Sequence, residues 1–219
     1  MRFATFNVHH CEGRDGVIDL DRVARVISLT DASVVALQEL DQGMARSGRV
    51  DQPRVLEELT GMTIRFFPTL RRGQGRFGVG VATRGPIEAR LEQLPRSAGE
   101  EPRGVIVARW QGISVLATHL SRQAGPRAAQ TRALAATAAE RPPPVIVMGD
   151  LNQRADALGP LVEVGFSFPA SPEATFGRGP TRRQIDFVLA GPGVKVTAWS
   201  AIPSNASDHR ALVATVESA

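Results

Sequence analysis

The pattern of apolar and polar residues is clearest where three prolines at 142–144 precede four apolar residues at 145–148. A short, unbroken apolar run predicts a strand that is buried on both faces. Gly149 ends this run, and Asp150 and Asn152 follow at the carboxyl end of the predicted strand. Side chains two residues apart on an extended chain point to the same side, so we expect both polar groups to reach one place.

Other short apolar or alternating runs predict the remaining strands. They cover residues 2–8, 33–37, 63–68, 77–83, 87–94, 105–110, 114–119, 184–189, 194–200 and 210–216. The strands between residues 63 and 119 follow one another without a helix, which indicates antiparallel pairing. One connection among them, residues 71–76, contains three arginines and two glycines and is expected to be a flexible basic loop.

Helices are predicted where apolar residues recur at helical spacing. They cover residues 19–29, 51–60, 126–140 and 155–164. Both halves of the chain mix strands with helices, and there is no linker, internal repeat or low-complexity tract. We therefore expect a single domain over residues 1–219 with an α+β fold. Its architecture would be a four-layer α/β sandwich, in which two mostly antiparallel β-sheets pack face to face and are flanked by helices.

Composition limits the class of protein. The chain has 219 residues, of which 42% are hydrophobic, so it can bury a substantial core. No stretch approaches the roughly 20 apolar residues of a membrane span, and the N-terminus lacks the pattern of a secretory signal. Cys11 is the single cysteine, which excludes an internal disulfide and fits a reducing compartment. We expect a cytoplasmic monomer.

The net charge is +4, and Lys195 is the one lysine among 26 basic residues. A compositional bias of the genome explains this arginine content best, and attraction to phosphate, which arginine binds with two parallel hydrogen bonds, is the alternative. A charge of +4 on a chain of this length is too small to indicate nucleic-acid binding by itself.

Polar residues stand where several predicted strands meet a loop. They are Asn7, Glu39, His119, Asp150, Asn152, Asp208 and His209, and Asp186 lies inside a predicted strand. Each residue alone has an ordinary structural interpretation, such as a turn former or a surface charge. Taken together, these residues favour a functional site. A carboxylate inside a strand needs a partner, and oxygen donors such as Asn7, Glu39 and Asp208 suit Mg²⁺ or Mn²⁺.

Other site types fit the sequence poorly. The chain has no Cys/His zinc set, no glycine-rich phosphate loop ending in Gly-Lys-Ser/Thr, and no Gly-x-Ser-x-Gly nucleophile turn. Cys11 lies near His9 and His10 and could be a nucleophile, but its flanking residues match no protease signature.

Six short motifs, in one order, resemble those of the endonuclease/exonuclease/phosphatase (DNase I-like) superfamily. They are Phe-Asn-Val-His (6–9), Leu-Gln-Glu (37–39), Thr-His-Leu (118–120), Gly-Asp-Leu-Asn (149–152), Ile-Asp-Phe (185–187) and Ser-Asp-His-Arg (207–210). The superfamily includes pancreatic deoxyribonuclease, abasic-site endonucleases, neutral sphingomyelinases and inositol polyphosphate phosphatases. Each motif is weak alone, but the six together span almost the whole chain.

The resemblance implies a divalent-metal-dependent phosphoesterase and a role for each matching residue. Glu39, with Asn7 and Asp208, would hold Mg²⁺ or Mn²⁺. Asp150 would orient and deprotonate the attacking water. Asn152, His119 and His209 would contact the phosphate or the leaving group, and Asp186 would orient His209.

The substrate is less well indicated. Abasic-site enzymes typically carry a tyrosine where this chain has His119, so the resemblance favours the deoxyribonuclease, sphingomyelinase and phosphatase branches. Arg46, Arg76 and Arg183 lie on loops near the motifs and are candidates for binding an anionic substrate. That substrate could be a small phosphoester, a nucleic acid or a phospholipid headgroup. The alternatives are a nuclease acting on DNA or RNA and, from another class, an inactive binding module, which the intact residue set disfavours.

Overall fold

Two β-sheets form the centre of the protein in the computed structural model, which describes residues 1–168 and 173–219. The strands of the first sheet are β1 (Arg2–Asn7), β2 (Val34–Gln42), β3 (Thr63–Arg72), β4 (Gly75–Thr83), β10 (Val194–Ile202) and β11 (Ala211–Ser218). Those of the second are β5 (Glu88–Gln93), β6 (Gly104–Trp110), β7 (Ile113–His119), β8 (Val145–Asp150) and β9 (Asp186–Ala190). The strand orders are β10-β11-β1-β2-β4-β3 and β5-β6-β7-β8-β9. Neighbouring strands are antiparallel except for the parallel pairs β1–β2 and β7–β8.

The helices cover the outer faces of the two sheets. They are α1 (Leu20–Leu29), α2 (Gln52–Thr60), α3 (Ala124–Ala139) and α4 (Gly159–Glu163). Asp19 caps α1 by accepting a hydrogen bond from the backbone N–H of Arg22 at 2.8 Å, as the sequence predicts. The helix predicted over residues 155–164 is instead a 3₁₀ turn followed by the short α4. Among the described residues, no helix is long and apolar enough to cross a membrane.

Alternation along the strands produces the four layers. On β8, Ile146 and Met148 face the core between the sheets, and Val145 and Val147 face α3 and α4. A strand covered on both sides must be apolar at every position, which explains the unbroken run in its sequence. The predicted four-layer α/β sandwich is confirmed.

The predicted flexible loop at residues 71–76 is wrong. Strand β3 continues to Arg72 and pairs with β4 through Arg71–Arg76 and Arg72–Gly75, so that only Gly73 and Gln74 form the turn. The glycines that suggested a loop belong to a tight hairpin, where the positive φ of +58° at Gly73 is readily adopted.

Gly149 lets β8 approach β7 beside the candidate site. Its φ is +151°, and a Cβ atom there would collide with the carbonyl oxygen of Thr118 on β7. The clash is with backbone, so a larger residue could be accommodated only by moving the strand that carries Asp150.

We therefore predict that Gly149→Ala lowers the free energy of unfolding by about 1–3 kcal/mol, because it adds volume where no side chain can yield. Gly125→Ala is the matched control, since Gly125 lies in α3 with open space around its Cα, and alanine there should leave stability equal or higher by about 0.5–1 kcal/mol. Chemical denaturation measures both. Equal stabilities of the two variants would contradict the prediction.

Candidate active site

The rows of side chains that face the inter-sheet core end in polar residues at one end of the sandwich. His119, Asp150 and Asp186 stand side by side across β7, β8 and β9, in register with one another. Asp150 continues the row of Met148, which is buried between the sheets. Asn7 ends β1 in the opposite sheet and reaches Asp150. The period-two geometry of strands thus brings together residues distant in sequence.

Asn7 links the two sheets at this point. Its Nδ2 donates to Glu39 Oε1 and to Asp150 Oδ2, each at 3.0 Å. Its Oδ1 accepts a hydrogen bond from the backbone N–H of His9 at 3.0 Å. The amide therefore presents nitrogen to the two carboxylates, and coordination of a metal through Oδ1 would require the amide to turn over.

Glu39 lies in a β-bulge. The register between β2 and β4 shifts between Leu37 and Leu40, which both pack on the helix side of the sheet. Glu39 has a φ of +63°, a conformation that costs a non-glycine residue about 1–3 kcal/mol and that recurs at active sites. The extra residue turns the Glu39 carboxylate towards the site while the leucines keep their places in the core.

Asp186 and His209 form a buried ion pair. Asp186 Oδ2 lies 2.9 Å from His209 Nδ1, and neither residue is more than 4% exposed. Burial by itself would lower the pKa of His209, but the carboxylates of Asp186 and Asp150 outweigh it and raise the pKa well above the ordinary histidine value. His209 is therefore a cation at neutral pH, and its Nε2 stands 3.7 Å from Asp150 Oδ2.

Asp150 has the environment of a general base. Its side chain is buried, and burial together with the nearby Asp186 carboxylate raises its pKa. The charge of His209 and the hydrogen bonds from Asn7 and from the backbone N–H of Asn152 lower the pKa and offset part of this increase. A carboxylate with raised proton affinity can accept a proton from water more readily than an exposed one.

His119 points at the same carboxylate from the other side. Its Nε2 is 3.5 Å from Asp150 Oδ2 and 4.0 Å from Glu39 Oε1. Burial lowers the pKa of His119 well below its usual value, and the positive charge of Arg103 lowers it further. The two histidines of the site therefore differ in charge.

Hydrogen bonds to backbone carbonyl groups hold the loop that carries Asp208 and His209 in place. Arg14 donates from Nε to the carbonyl of Ser207 at 3.2 Å and from Nη2 to that of Asp208 at 3.0 Å. Ser207 Oγ donates to the carbonyl of Asn7 at 2.8 Å. These bonds fix Asp208, whose side chain is 44% exposed, at the mouth of the site.

A cavity of about 150 Å³ joins these groups. Its lining consists of His9, Glu39, His119, Arg122, Asp150, Asn152, Phe176, Arg183, Ile185, Asp208 and His209. Asn152 adopts a φ of +51° there and donates from Nδ2 to the carbonyl of Leu120 at 3.0 Å, which leaves one amide hydrogen for a ligand. Of the predicted catalytic and metal-binding residues, Asn7 and Asp186 stand behind this surface and the others line it.

The three arginines predicted to bind substrate have different positions. Arg183 lines the cavity and lies over the ring of Phe176 at 4.7 Å. Arg46 makes two 2.8 Å bonds to the buried carboxylate of Asp41 and is absent from the cavity wall. Arg76 donates to a glutamine on β2 and is also absent from the wall.

Sequence reasoning missed three residues at the site. Arg122 lines the cavity, Phe176 packs its ring 4.7 Å from that of His209, and Arg103 contacts His119 from behind. None lies in a motif, and their contacts join segments far apart in the chain. The short distance in sequence between Arg122 and His119 is the one local signal that could have identified any of the three.

The residues present fit a hard divalent cation. Glu39, Asp150 and Asp208 line the cavity, and Asp186 Oδ1 lies behind them, buried and without a hydrogen-bond partner among the described residues. Such an excess of oxygen donors suits Mg²⁺ or Mn²⁺. Ligand atoms of Asp150, Asp186 and His209 also lie close enough together to bind one ion. His209 is itself a cation, however, so its charge already balances the two carboxylates at that position.

The structure argues against Cys11 as a nucleophile. The residue is fully buried, and burial together with the carboxylates of Asp41 and Asp19 raises the pKa of its thiol. A reactive thiolate needs the opposite environment.

Comparison with known proteins identifies the fold and the family of the chain. A search of curated proteins finds no significant match. Among solved structures, an endonuclease/exonuclease/phosphatase from Beutenbergia cavernae has a TM-score of 0.81 and 23% identity, over 100% of this chain and 71% of that one. Zebrafish (D. rerio) TDP2 complexed with a single-strand DNA product has a TM-score of 0.73 and 19% identity, over 99% and 98% of the two chains. An AP endonuclease from Archaeoglobus fulgidus has a TM-score of 0.72 and 18% identity, over 98% of each chain.

These likenesses establish the fold. The family itself follows from a family model that matches residues 4–209, nearly the whole chain, and that describes hydrolases of phosphoesters. The chain belongs to the Endonuclease/Exonuclease/phosphatase family.

Proposed function

We propose that the protein is a Mg²⁺- or Mn²⁺-dependent phosphoesterase that hydrolyses its substrate by direct attack of a water molecule activated by Asp150. The observation that carries the proposal is the position of Asp150 Oδ2, which lies 3.0 Å from Asn7 Nδ2, 3.5 Å from His119 Nε2 and 3.7 Å from His209 Nε2. A phosphate bound next to the Asp150 carboxylate would meet hydrogen-bond donors on two sides. A water molecule between the phosphate and the carboxylate would lose its proton to the carboxylate.

Each residue has a defined part in this mechanism. Glu39 and Asp208 would hold the cation, which supplies Lewis-acid activation of the phosphate and neutralises its charge. Asp150 takes the proton of the attacking water. His209, as a cation, and Asn152 donate to phosphate oxygens, and the field of these fixed donors favours the charge that develops in the transition state. Asn7 keeps the Glu39 and Asp150 carboxylates apart and oriented.

The substrate is a phosphodiester or phosphomonoester carried by a small molecule, a nucleic acid or a phospholipid headgroup. A nuclease is the second candidate, and one observation favours it. A cavity of about 380 Å³ has three arginines, Arg154, Arg182 and Arg183, and one carboxylate, Asp156, in its lining, and it shares Arg183 with the catalytic cavity. A chain of phosphates could run from one cavity to the other. The DNA product bound to TDP2, a protein of similar fold, is in line with this possibility.

An inactive binding module of the same fold is the least favoured function. That function would allow loss of a metal-binding or water-activating group, whereas Glu39, Asp150 and Asp208 all line one cavity here. The cytoplasmic location and the monomeric state stay predictions.

We predict that hydrolysis of bis-p-nitrophenyl phosphate is abolished by EDTA and restored by Mg²⁺ or Mn²⁺. Asp150→Ala should lower kcat by about 10²- to 10⁴-fold, because it removes the general base. Asp21→Asn, an exposed carboxylate on α1, is the control and should keep full activity. Activity that survives chelation, or an Asp150→Ala enzyme as fast as the parent, would refute the mechanism.

We predict that Asp186→Asn lowers the pKa of His209 and the free energy of unfolding. Removing one partner of a buried ion pair costs about 3–5 kcal/mol. Because the folded-state pKa of His209 is raised, the loss should be largest below the ordinary histidine pKa and should shrink as pH rises through the raised value. NMR titration of the ring and denaturation at two pH values measure these effects.

Asp31→Asn is the control for this variant, because Asp31 pairs with arginines on the surface, where such pairs contribute about 0–1 kcal/mol. If Asp186→Asn behaves like Asp31→Asn in both measurements, Asp186 does not hold His209.

Salt dependence separates the substrate classes. If the substrate is a nucleic acid, the binding constant for a single-stranded oligonucleotide should fall steeply with salt, and Arg183→Met should reduce the slope of the log–log plot by about 1. Arg132→Met, an exposed arginine on α3, should leave that slope unchanged. A flat response in the parent enzyme would exclude the nuclease and leave a small or lipid phosphoester.

A further inference from the structure

Arg103 lies behind the catalytic cavity and touches no residue predicted to hold the metal, yet it contacts His119. We propose that Arg103 is a positioning residue that fixes the tautomer and orientation of His119, so that His119 always presents an Nε2–H donor to the phosphate and does not serve as the acid for the leaving group. This inference rests on the proposed function, because it concerns the contact of His119 with a phosphate ester.

The hydrogen-bond geometry allows one assignment. Arg103 Nη1 lies 2.9 Å from His119 Nδ1, and both side chains are at most 10% exposed. A guanidinium has only donors and stays protonated in proteins. Nδ1 must therefore accept with its lone pair, and the ring hydrogen must be on Nε2.

The opposite end of the ring agrees with this assignment. Nε2 faces acceptors, namely Asp150 Oδ2 at 3.5 Å and Glu39 Oε1 at 4.0 Å. A ring turned by 180° about its axis would place carbon atoms against both Arg103 and Asp150 and would lose both interactions. Arg103 thus fixes the orientation of the ring as well as the position of its hydrogen.

Arg103 is itself held in place. Its backbone carbonyl accepts from the N–H of Leu94 at 2.9 Å, and its Nη1 lies 3.4 Å from Glu101 Oε1. The Glu101 carboxylate offsets most of the charge of the buried Arg103 guanidinium. The guanidinium can therefore donate to the neutral ring of His119 without a second carboxylate as its partner.

The two histidines of the site therefore have complementary parts. His209 has a carboxylate on Nδ1, at Asp186, and is a charged donor. His119 has a guanidinium on Nδ1 and is a neutral donor. A neutral ring that donates from Nε2 cannot give up that hydrogen as an ordinary acid, because the product would be an imidazolate. Proton transfer to the leaving group must then come from His209 or from solvent.

The test begins with the metal-free parent enzyme. In ¹⁵N NMR of the histidine rings, His119 Nδ1 should give an acceptor-type resonance and Nε2 a protonated one. Arg103→Met should convert this to an averaged pair of resonances, because both tautomers become accessible. Arg103→Lys, which keeps a donor, should restore the parent pattern.

Kinetics with bis-p-nitrophenyl phosphate and Mn²⁺ supply the second readout. Arg103→Met should lower kcat by up to about 10²-fold, the cost of one lost transition-state donor, with KM nearly unchanged and activity partly restored in Arg103→Lys. Arg109→Met is the control, since Arg109 lies on β6, the strand that begins directly after Arg103, but donates to Ser114 Oγ and has no contact with the site.

The outcomes are distinguishable. A parent spectrum with the hydrogen on His119 Nδ1 overturns the inference, whatever the activity. The NMR result does not depend on hydrolysis, so an enzyme inactive on every phosphoester would count against the proposed function alone. If Arg103→Met keeps the parent spectrum, Arg103 is not the positioning residue.

Discussion

The structure depends on one electrostatic constraint, which is the burial of two carboxylates at the end of the inter-sheet core. Asp150 and Asp186 lie at neighbouring positions of adjacent strands, where unpaired charges would cost several kcal/mol. The amide of Asn7, from the opposite sheet, and the cationic His209, from the loop before β11, compensate them. The same groups that make burial tolerable are those that a phosphate would contact, so fold stability and chemistry are inseparable here.

The sandwich suits this constraint because it brings strand ends from two sheets together. Each sheet supplies what the other lacks: His119, Asp150 and Asp186 come from one, while Asn7 and Glu39 come from the other. Close packing between the sheets fixes their separation, and reactive groups must keep their positions within a fraction of an ångström to act together. The loop before β11 adds the buried His209 and, at the mouth of the site, the more exposed Asp208.

The sequence predicted the architecture and the polar set, because strand runs, caps and motif residues are local signals. It could not predict features that depend on pairing. The bulge at Glu39 appears only when β2 is aligned with β4, and the hairpin at Gly73 only when β3 meets its partner. Arg46 lies close to Glu39 in sequence, but its partner is the buried Asp41. Arg103 belongs to no motif, and its role depends on a strand that begins ten residues later in the chain.

The bulge in β2 also constrains how this chain can change. Gln38 and Glu39 together face a single residue of β4, so the two halves of β2 are out of phase by one position. A deletion of one residue between Leu37 and Leu40 would bring the halves into phase. The residue left between the two leucines would face the single residue of β4, and the leucines, now two positions apart, would stay on the helix side of the sheet. The helix-side core and the bond between Asp41 and Arg46 would therefore be kept. The left-handed conformation that turns the Glu39 carboxylate towards the site would be lost, because a regular strand has no place for it. The length of this segment thus constrains the site and not the core, and a chain shortened here would keep its fold without its chemistry.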